Sequence, residues 1–183
     1  MKLLRVIVAS ALCVLALTGC GRMALKKNLI AFRESQIVFP ADLTKIEGVD
    51  FSTFSPMDEV WKLVVFADST QCSSCLIDKL GGYTDIVHKF SERGPVLMIV
   101  ILSPAAEDRE RILEQLNYRE LSFGVYLDAT NSFAKLNPLV EKDPRFHLFL
   151  TDRSNHPVVV GDPLRSQTIF DLMLNQINYR NPL

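Results

Sequence analysis

Two cysteines three residues apart, in the run Cys72-Ser73-Ser74-Cys75, are the residues best suited to chemistry in this chain of 183 residues. On a helix, positions i and i+3 are surface neighbours, within the ~4.4–6.8 Å between Cα atoms that a disulfide tolerates. If the first cysteine opens the helix, unpaired backbone N–H groups and the positive dipole end favour its thiolate. Thiolate is the attacking species in thiol–disulfide exchange, and such positions bring a cysteine below its free pKa of ~8.5. The hydroxyls of Ser73 and Ser74 are further hydrogen-bond donors beside it. Cys75, one turn on, is placed to resolve a mixed disulfide from inside. The pair therefore reads as a cycling dithiol. A static structural disulfide is the competing reading, although so short a loop gains little from loop-closure entropy. Zinc needs about four ligands, and His88, His147 and His156 lack the paired spacing to complete a set, so no metal is expected. His147 reads as a packed or half-exposed strand residue and His88 as a solvated helix residue. Asp68 reads as a turn former beside the pair, able to assist proton transfer. No nucleotide or flavin motif is present, so no cofactor is expected and electrons must come from another protein.

The elements that would hold this pair alternate along the chain. Gln36–Phe39 suggests a first strand, stopped by Pro40, and Thr44–Met57 a loop. Lys62–Ala67 is a short apolar run rich in β-branched residues, a buried strand beginning near Trp61. A polar turn, Asp68–Gln71, leads to a helix from about Ser73. Gly81-Gly82 should interrupt it before a second piece from Tyr83 to about Glu92. Val96–Leu102 is continuously apolar and reads as a central strand covered on both faces. Ser103 as N-cap and Pro104 in the first turn predict a helix from Ala105 to about Leu116. Gly124–Leu127 reads as a strand and Ala129–Leu136 as a short helix. Phe146–Leu150 and Val158–Val160 form a hairpin across a polar loop. The last helix runs from about Ser166 to Asn178, with Ile169, Leu172, Met173, Gln176 and Ile177 on one face. This alternation predicts an α/β layer structure with a mostly parallel sheet and an antiparallel hairpin at its edge.

The N-terminus has a separate logic. Lys2 and Arg5 precede Val6–Leu17, an apolar run broken only by Ser10. That is short of the ~20 residues needed to span a bilayer and has the form of a secretory signal peptide. Its end, Leu17-Thr18-Gly19-Cys20, resembles the bacterial lipobox. The resemblance implies cleavage after residue 19, lipidation of Cys20 and attachment to a membrane outside the cytoplasm. Gly21, which is not Asp, slightly favours the outer membrane. Residues 20–35 then serve as anchor and tether, and 36–183 as the folded domain. Without Lys2 and Arg5 the mature chain has 18 basic against 21 acidic residues, a net charge of −3. Such a domain gains nothing from an anionic membrane surface, so lipid must hold it there. The absence of a basic stripe also argues against nucleic acid. Of four cysteines, Cys13 leaves with the signal peptide and Cys20 is consumed by lipid. Cys72 and Cys75 remain, in a compartment where disulfides persist.

Val64-Val65-Phe66-Ala67, a turn, and Cys72-Ser-Ser-Cys75-Leu76 together resemble the active-site segment of the thioredoxin-like superfamily, in particular its exported, lipid-anchored bacterial lipoproteins. The likeness extends to Val96–Leu102, to Val125-Tyr-Leu-Asp128 and to the hairpin from Phe149 to Gly161, about two thirds of the chain. It implies an α/β thioredoxin-like fold: a central, mostly parallel sheet, a C-terminal antiparallel hairpin and flanking helices. It also implies exchange with protein thiols or disulfides of the cell envelope, with Cys72 as nucleophile and Cys75 as resolver. Three positions depart from the family. Gln71 stands where Trp usually precedes the first cysteine, and Ser73-Ser74 replaces Gly-Pro. Pro144 lies two residues further than expected from the strand-ending Asp152 to be the usual cis-proline, and His147 lies nearer that place. A lipid-anchored binding module with an inert Cys72–Cys75 disulfide is the alternative. A peroxide-reducing enzyme of the related redoxin branch would need a supporting Thr and Arg around Cys72, an arrangement the sequence does not show.

Overall fold

The computed structural model describes residues 23–48, 60–117, 119 and 121–179. The expected signal peptide, Cys13 and Cys20 lie outside the described residues. The chain divides into two compact units, residues 1–35 and 36–183. In the first, 23–34 form a helix, α1, within the stretch expected to act as tether. Ala24, Leu25, Lys26, Lys27 and Ala31 are good helix formers, and the Ser35 hydroxyl closes the last turn by donating to the Phe32 carbonyl at 2.7 Å.

The second unit is built on six strands: β1 (Thr44–Glu47), β2 (Trp61–Ala67), β3 (Val96–Leu102), β4 (Gly124–Leu127), β5 (Leu148–Thr151) and β6 (Pro157–Val160). Their order across the sheet is β1-β4-β3-β2-β5-β6. The centre, β4-β3-β2, is parallel, as the two continuous apolar runs predict. The flanking pairs β1–β4, β2–β5 and β5–β6 are antiparallel, so the sheet is mixed. The hairpin edge is the expected one; β1 adds a second antiparallel edge from the stretch read as loop. Gln36–Phe39 forms no strand. The Ile37 N–H goes to the Asn155 carbonyl, and the Asn137 side chain takes the Val38 N–H and donates back to its carbonyl, so no ladder is left to form.

Among the described residues, the second unit also carries six helices: α2 (Ser73–Ile77), α3 (Leu80–Ser91), α4 (Arg109–Leu116), α5 (Ser132–Leu136), α6 (Pro138–Lys142) and α7 (Gln167–Tyr179). β2 is buried along its whole length, and its side chains alternate between two faces. Trp61, Leu63, Val65 and Ala67 join Met98, Val100 and Leu102 of β3 in a core with Ile77, Leu80, Tyr83, Phe90, Ile112, Met173 and Ile177. On the other parity, Phe66 packs against Phe133 of α5, ring centres 5.3 Å apart.

Several local expectations shift. The break in the first helical region falls at Asp78-Lys79, and both glycines lie inside α3. Gly82 answers to packing: a Cβ there would sit 2.9 Å from a Leu164 methyl. Ser103 caps no helix. Its hydroxyl donates to the Asp128 carbonyl and its N–H to the Ala67 carbonyl, tying strand ends together. A 3-10 turn, Ala106–Asp108, precedes α4 instead. α6 follows α5 directly, opened by Pro138. On α7, Met173 and Ile177 are buried as expected, but Leu172 is 47% exposed and Phe170 and Leu174 take part in the core.

Candidate active site

Cys72 lies just beyond the carboxyl end of β2, the end at which open parallel sheets tend to present their ligand crevices. The turn leading to it is held by Asp68, whose carboxylate accepts from the Thr70 N–H at 2.9 Å and hydroxyl at 2.6 Å. Cys72 is the N-cap of α2, with extended backbone, and its Sγ accepts from the Cys75 N–H at 3.2 Å. The two cysteines are joined in a disulfide with Cα atoms 5.2 Å apart. Both are exposed, whereas Ser73 between them is buried. Cys75 therefore does not approach from inside: the inward position of this turn belongs to Ser73, and the whole disulfide faces outward. The Cys75 N–H is directed at the Cys72 sulfur, a position at which helix N-termini generally favour a thiolate.

α2 has five residues, too few to hold a helix alone, and arginines from elsewhere fasten it. Arg111 of α4 donates to the Ser74 hydroxyl and is itself paired with Asp108. Arg119 donates to the Ile77 carbonyl at 2.9 Å and to the Asp78 carboxylate at 2.8 Å, satisfying the far end of α2. Asp108 and Arg111 line a small cleft of about 70 Å³ against one side of Cys72.

On the other side lies a larger groove of about 370 Å³, lined by both cysteines and by residues of α3, β5 and the segments before and after the hairpin. Tyr83, buried in its floor, donates to Asp162 at 2.9 Å. Burial first, and the Asp162 charge second, push its ionisation far above the ordinary tyrosine range, so it stays a neutral donor. Arg145 grips Asp143 with Nε and Nη2, at 2.8 and 2.6 Å, and this pairing holds the Asp143 carboxyl below its usual range. His147 lines the groove yet is only 4% exposed, packed as one of its two expected placements had it, but in the turn just ahead of β5 and not in the strand. Its Nε2 is 3.0 Å from the Val140 carbonyl and its ring meets Phe66 edge-on at 4.9 Å. Burial lowers its pKa, against smaller opposing contributions from Asp68, the Val140 carbonyl and Asp143.

Of the residues singled out from the sequence, Cys72, Cys75 and His147 share one groove, with Pro144 on the same lining. Pro144 begins a 3-10 turn, Pro144–Phe146, ahead of β5. His88 is a solvated helix residue beside Glu92, remote from the pair's lining. Cys20 lies outside the described residues. Among the described residues no three of His, Cys, Asp and Glu converge to hold a metal ion, and no helix is long and apolar enough to cross a membrane. Arg111, Asp108, Tyr83, Asp162 and Arg145 carried no sequence signal, because each reaches the site only through the tertiary fold.

No family model and no curated protein matches the sequence. The backbone finds counterparts among solved structures. A thioredoxin-like protein from Porphyromonas gingivalis, solved in solution, is 15% identical with a TM-score of 0.54, over 81% of this chain and 97% of that one. The fold is thioredoxin-like. The thioredoxin domain of a thiol-disulfide oxidoreductase from Bacteroides vulgatus is also 15% identical, with a TM-score of 0.49 over 79% of this chain and 99% of that one. A bacterioferritin comigratory protein from Xanthomonas campestris, described for alkyl peroxide reduction, is 10% identical, with a TM-score of 0.48 over 79% and 98%. At such identities the likeness is one of fold, and the function of the thioredoxin-like domain has to be argued from its site.

Proposed function

We propose that the chain is a thiol–disulfide oxidoreductase acting on exported proteins while anchored to a bacterial membrane through Cys20. The observation that carries the reading is the outward-facing Cys72–Cys75 pair, with the Cys72 sulfur capping a helix and opening on a groove. In the reducing direction the Cys72 thiolate attacks one sulfur of a partner disulfide. A mixed disulfide forms and the partner's other sulfur leaves as thiolate. Cys75, as thiolate, then attacks the Cys72 sulfur; the second partner thiolate departs and the Cys72–Cys75 bond closes. Two electrons have passed to the partner. The oxidising direction is the reverse. The short α2 and its arginine fasteners keep the sulfurs in register through both steps, and the exposure of Cys75 leaves it free to attack. The anchor rests on the sequence: the signal peptide, residues 1–19, and the lipobox-like Leu17–Cys20, with outer-membrane delivery favoured by Gly21.

One set of cells tests both parts. With Cys75→Ser the second step is blocked, and mixed disulfides with envelope proteins should accumulate as reductant-sensitive adducts absent from Cys72→Ser. No adducts, together with a Cys72 inert to alkylation, would end the catalytic reading. Cys20→Ser should move the chain from the membrane pellet to the soluble fraction; retention in the pellet would end the anchoring reading. A redox titration separates catalysis from the inert binding module, since structural disulfides lie below about −300 mV and catalytic ones at ~−270 to −120 mV.

A further inference from the structure

The groove beside the disulfide is lined by three cations, Lys79, Arg145 and Arg165, and by one carboxylate, Asp162. That carboxylate is already committed. Its Oδ1 accepts from the Tyr83 hydroxyl and the Leu164 N–H, both at 2.9 Å, and its Oδ2 lies 3.4 Å from Arg165. Arg145 uses Nε and Nη2 on Asp143, which is not part of the lining. Lys79 is exposed and has no ion-pair partner among the described residues. With Arg145 held by Asp143 and Arg165 beside Asp162, the groove is left with one uncompensated positive charge, at Lys79, a local reversal of the balance on a chain of net charge −1. Such a reversal focuses the field on whatever enters and raises the encounter rate with anions.

We propose that this groove selects disulfide substrates that carry a carboxylate close to the reacting sulfur, with Lys79 as its contact. The selection rests on the exchange reading above and adds the substrate class to it. The carboxylate can belong to an acidic polypeptide segment or to a small anionic disulfide; the chemistry at Lys79 is the same. The electron route is unchanged, since the carboxylate only raises the concentration of the partner sulfur at Cys72.

The test uses the full chain, reduced, and follows its oxidation by rapid-quench alkylation. Three disulfide-bridged peptides differ only in a Glu, Gln or Lys two positions from the cysteine. Two small disulfides, 3,3′-dithiodipropionate and neutral bis(2-hydroxyethyl) disulfide, form the second arm. One unit charge ~6 Å away in a water-like dielectric changes a rate about threefold. The Glu peptide should thus react about threefold faster than Gln and about tenfold faster than Lys at low salt, with the spread collapsing at high salt. Lys79→Glu, a surface change checked by circular dichroism, should invert the order. A gain for both the Glu peptide and dithiodipropionate places small anionic disulfides in the class; a gain for the peptide alone restricts it to polypeptides. Equal rates, or an order that survives Lys79→Glu, overturn the proposal while leaving exchange standing. If no disulfide oxidises the pair, exchange and selection fall together.

Discussion

At the residue scale, His147 shows how one buried side chain sets a pH response. The Val140 carbonyl can only accept, so the His147 Nε2 facing it carries the proton and Nδ1 is left bare. Nδ1 is buried with no hydrogen-bond partner among the described residues. A second proton would place a charge and an unpaired N–H in the interior, which is why burial depresses the pKa. Below about pH 6.5 the unfolded chain takes up this proton and the folded one does not. The stability contributed by neutral His147 is therefore complete above ~6.5 and is lost as pH falls through its lowered folded value. Asp143, also lowered, keeps its contribution above its ordinary value of 3.8 and loses it further down, in a separate window. His147→Gln should flatten the pH dependence in the upper window, below ~6.5, and leave the more acidic limb intact, as read by urea denaturation at a series of pH values. An unchanged slope would show that the proton goes elsewhere. The two cysteines were legible in the sequence because their relation is local, three positions on one helical turn. Arg111 was not: it lies 37 residues from Ser74 and meets it only when α4 docks on α2.

At the element scale, the sequence showed where helices and strands alternate but not what ends them. Ser103-Pro104 has the form of a helix start, and the fold uses Ser103 to join the ends of β3 and β4 instead. The true cap of the next short helix is Asp128, at the end of β4. Its two oxygens accept from the Ser132 N–H at 2.9 Å and the Phe133 N–H at 2.8 Å, five residues away at most, and the residue is 1% exposed. A cap of this kind is invisible to a pattern that looks for one residue immediately before an apolar period. It fixes α5, and with it Phe133 against Phe66 of the site-bearing strand. Asp128→Ala removes a buried carboxylate acceptor from two N–H groups and should cost about 3 kcal/mol. Asp128→Asn keeps one acceptor oxygen and should cost less. Denaturant midpoints for the two variants, with unchanged slope, check the ranking; equal and small losses would mean that water or a neighbour replaces the cap.

At the scale of the whole unit, the sheet and not the disulfide positions the sulfurs. β2 is paired along seven residues with β3 and along four with β5, and none of it is exposed. This centre was legible as two unbroken apolar runs, whereas β1, with Lys45 and Glu47 in it and its partner β4 some 80 residues on, carried no such mark. Ser73 and Ile77 press α2 inward while Cys72 and Cys75 face out, so the anchoring and the chemistry use opposite sides of one turn. A disulfide between residues separated by 3 closes a loop so small that its chain-entropy contribution is about 2 kcal/mol. Cys72→Ser with Cys75→Ser should therefore keep the fold, lose at most about that amount in chemical denaturation, and abolish exchange with every disulfide tested. A loss of several times that size, or failure to fold, would mean that the bond is part of the scaffold, and the inert binding module would then be the better account of why it sits on the surface.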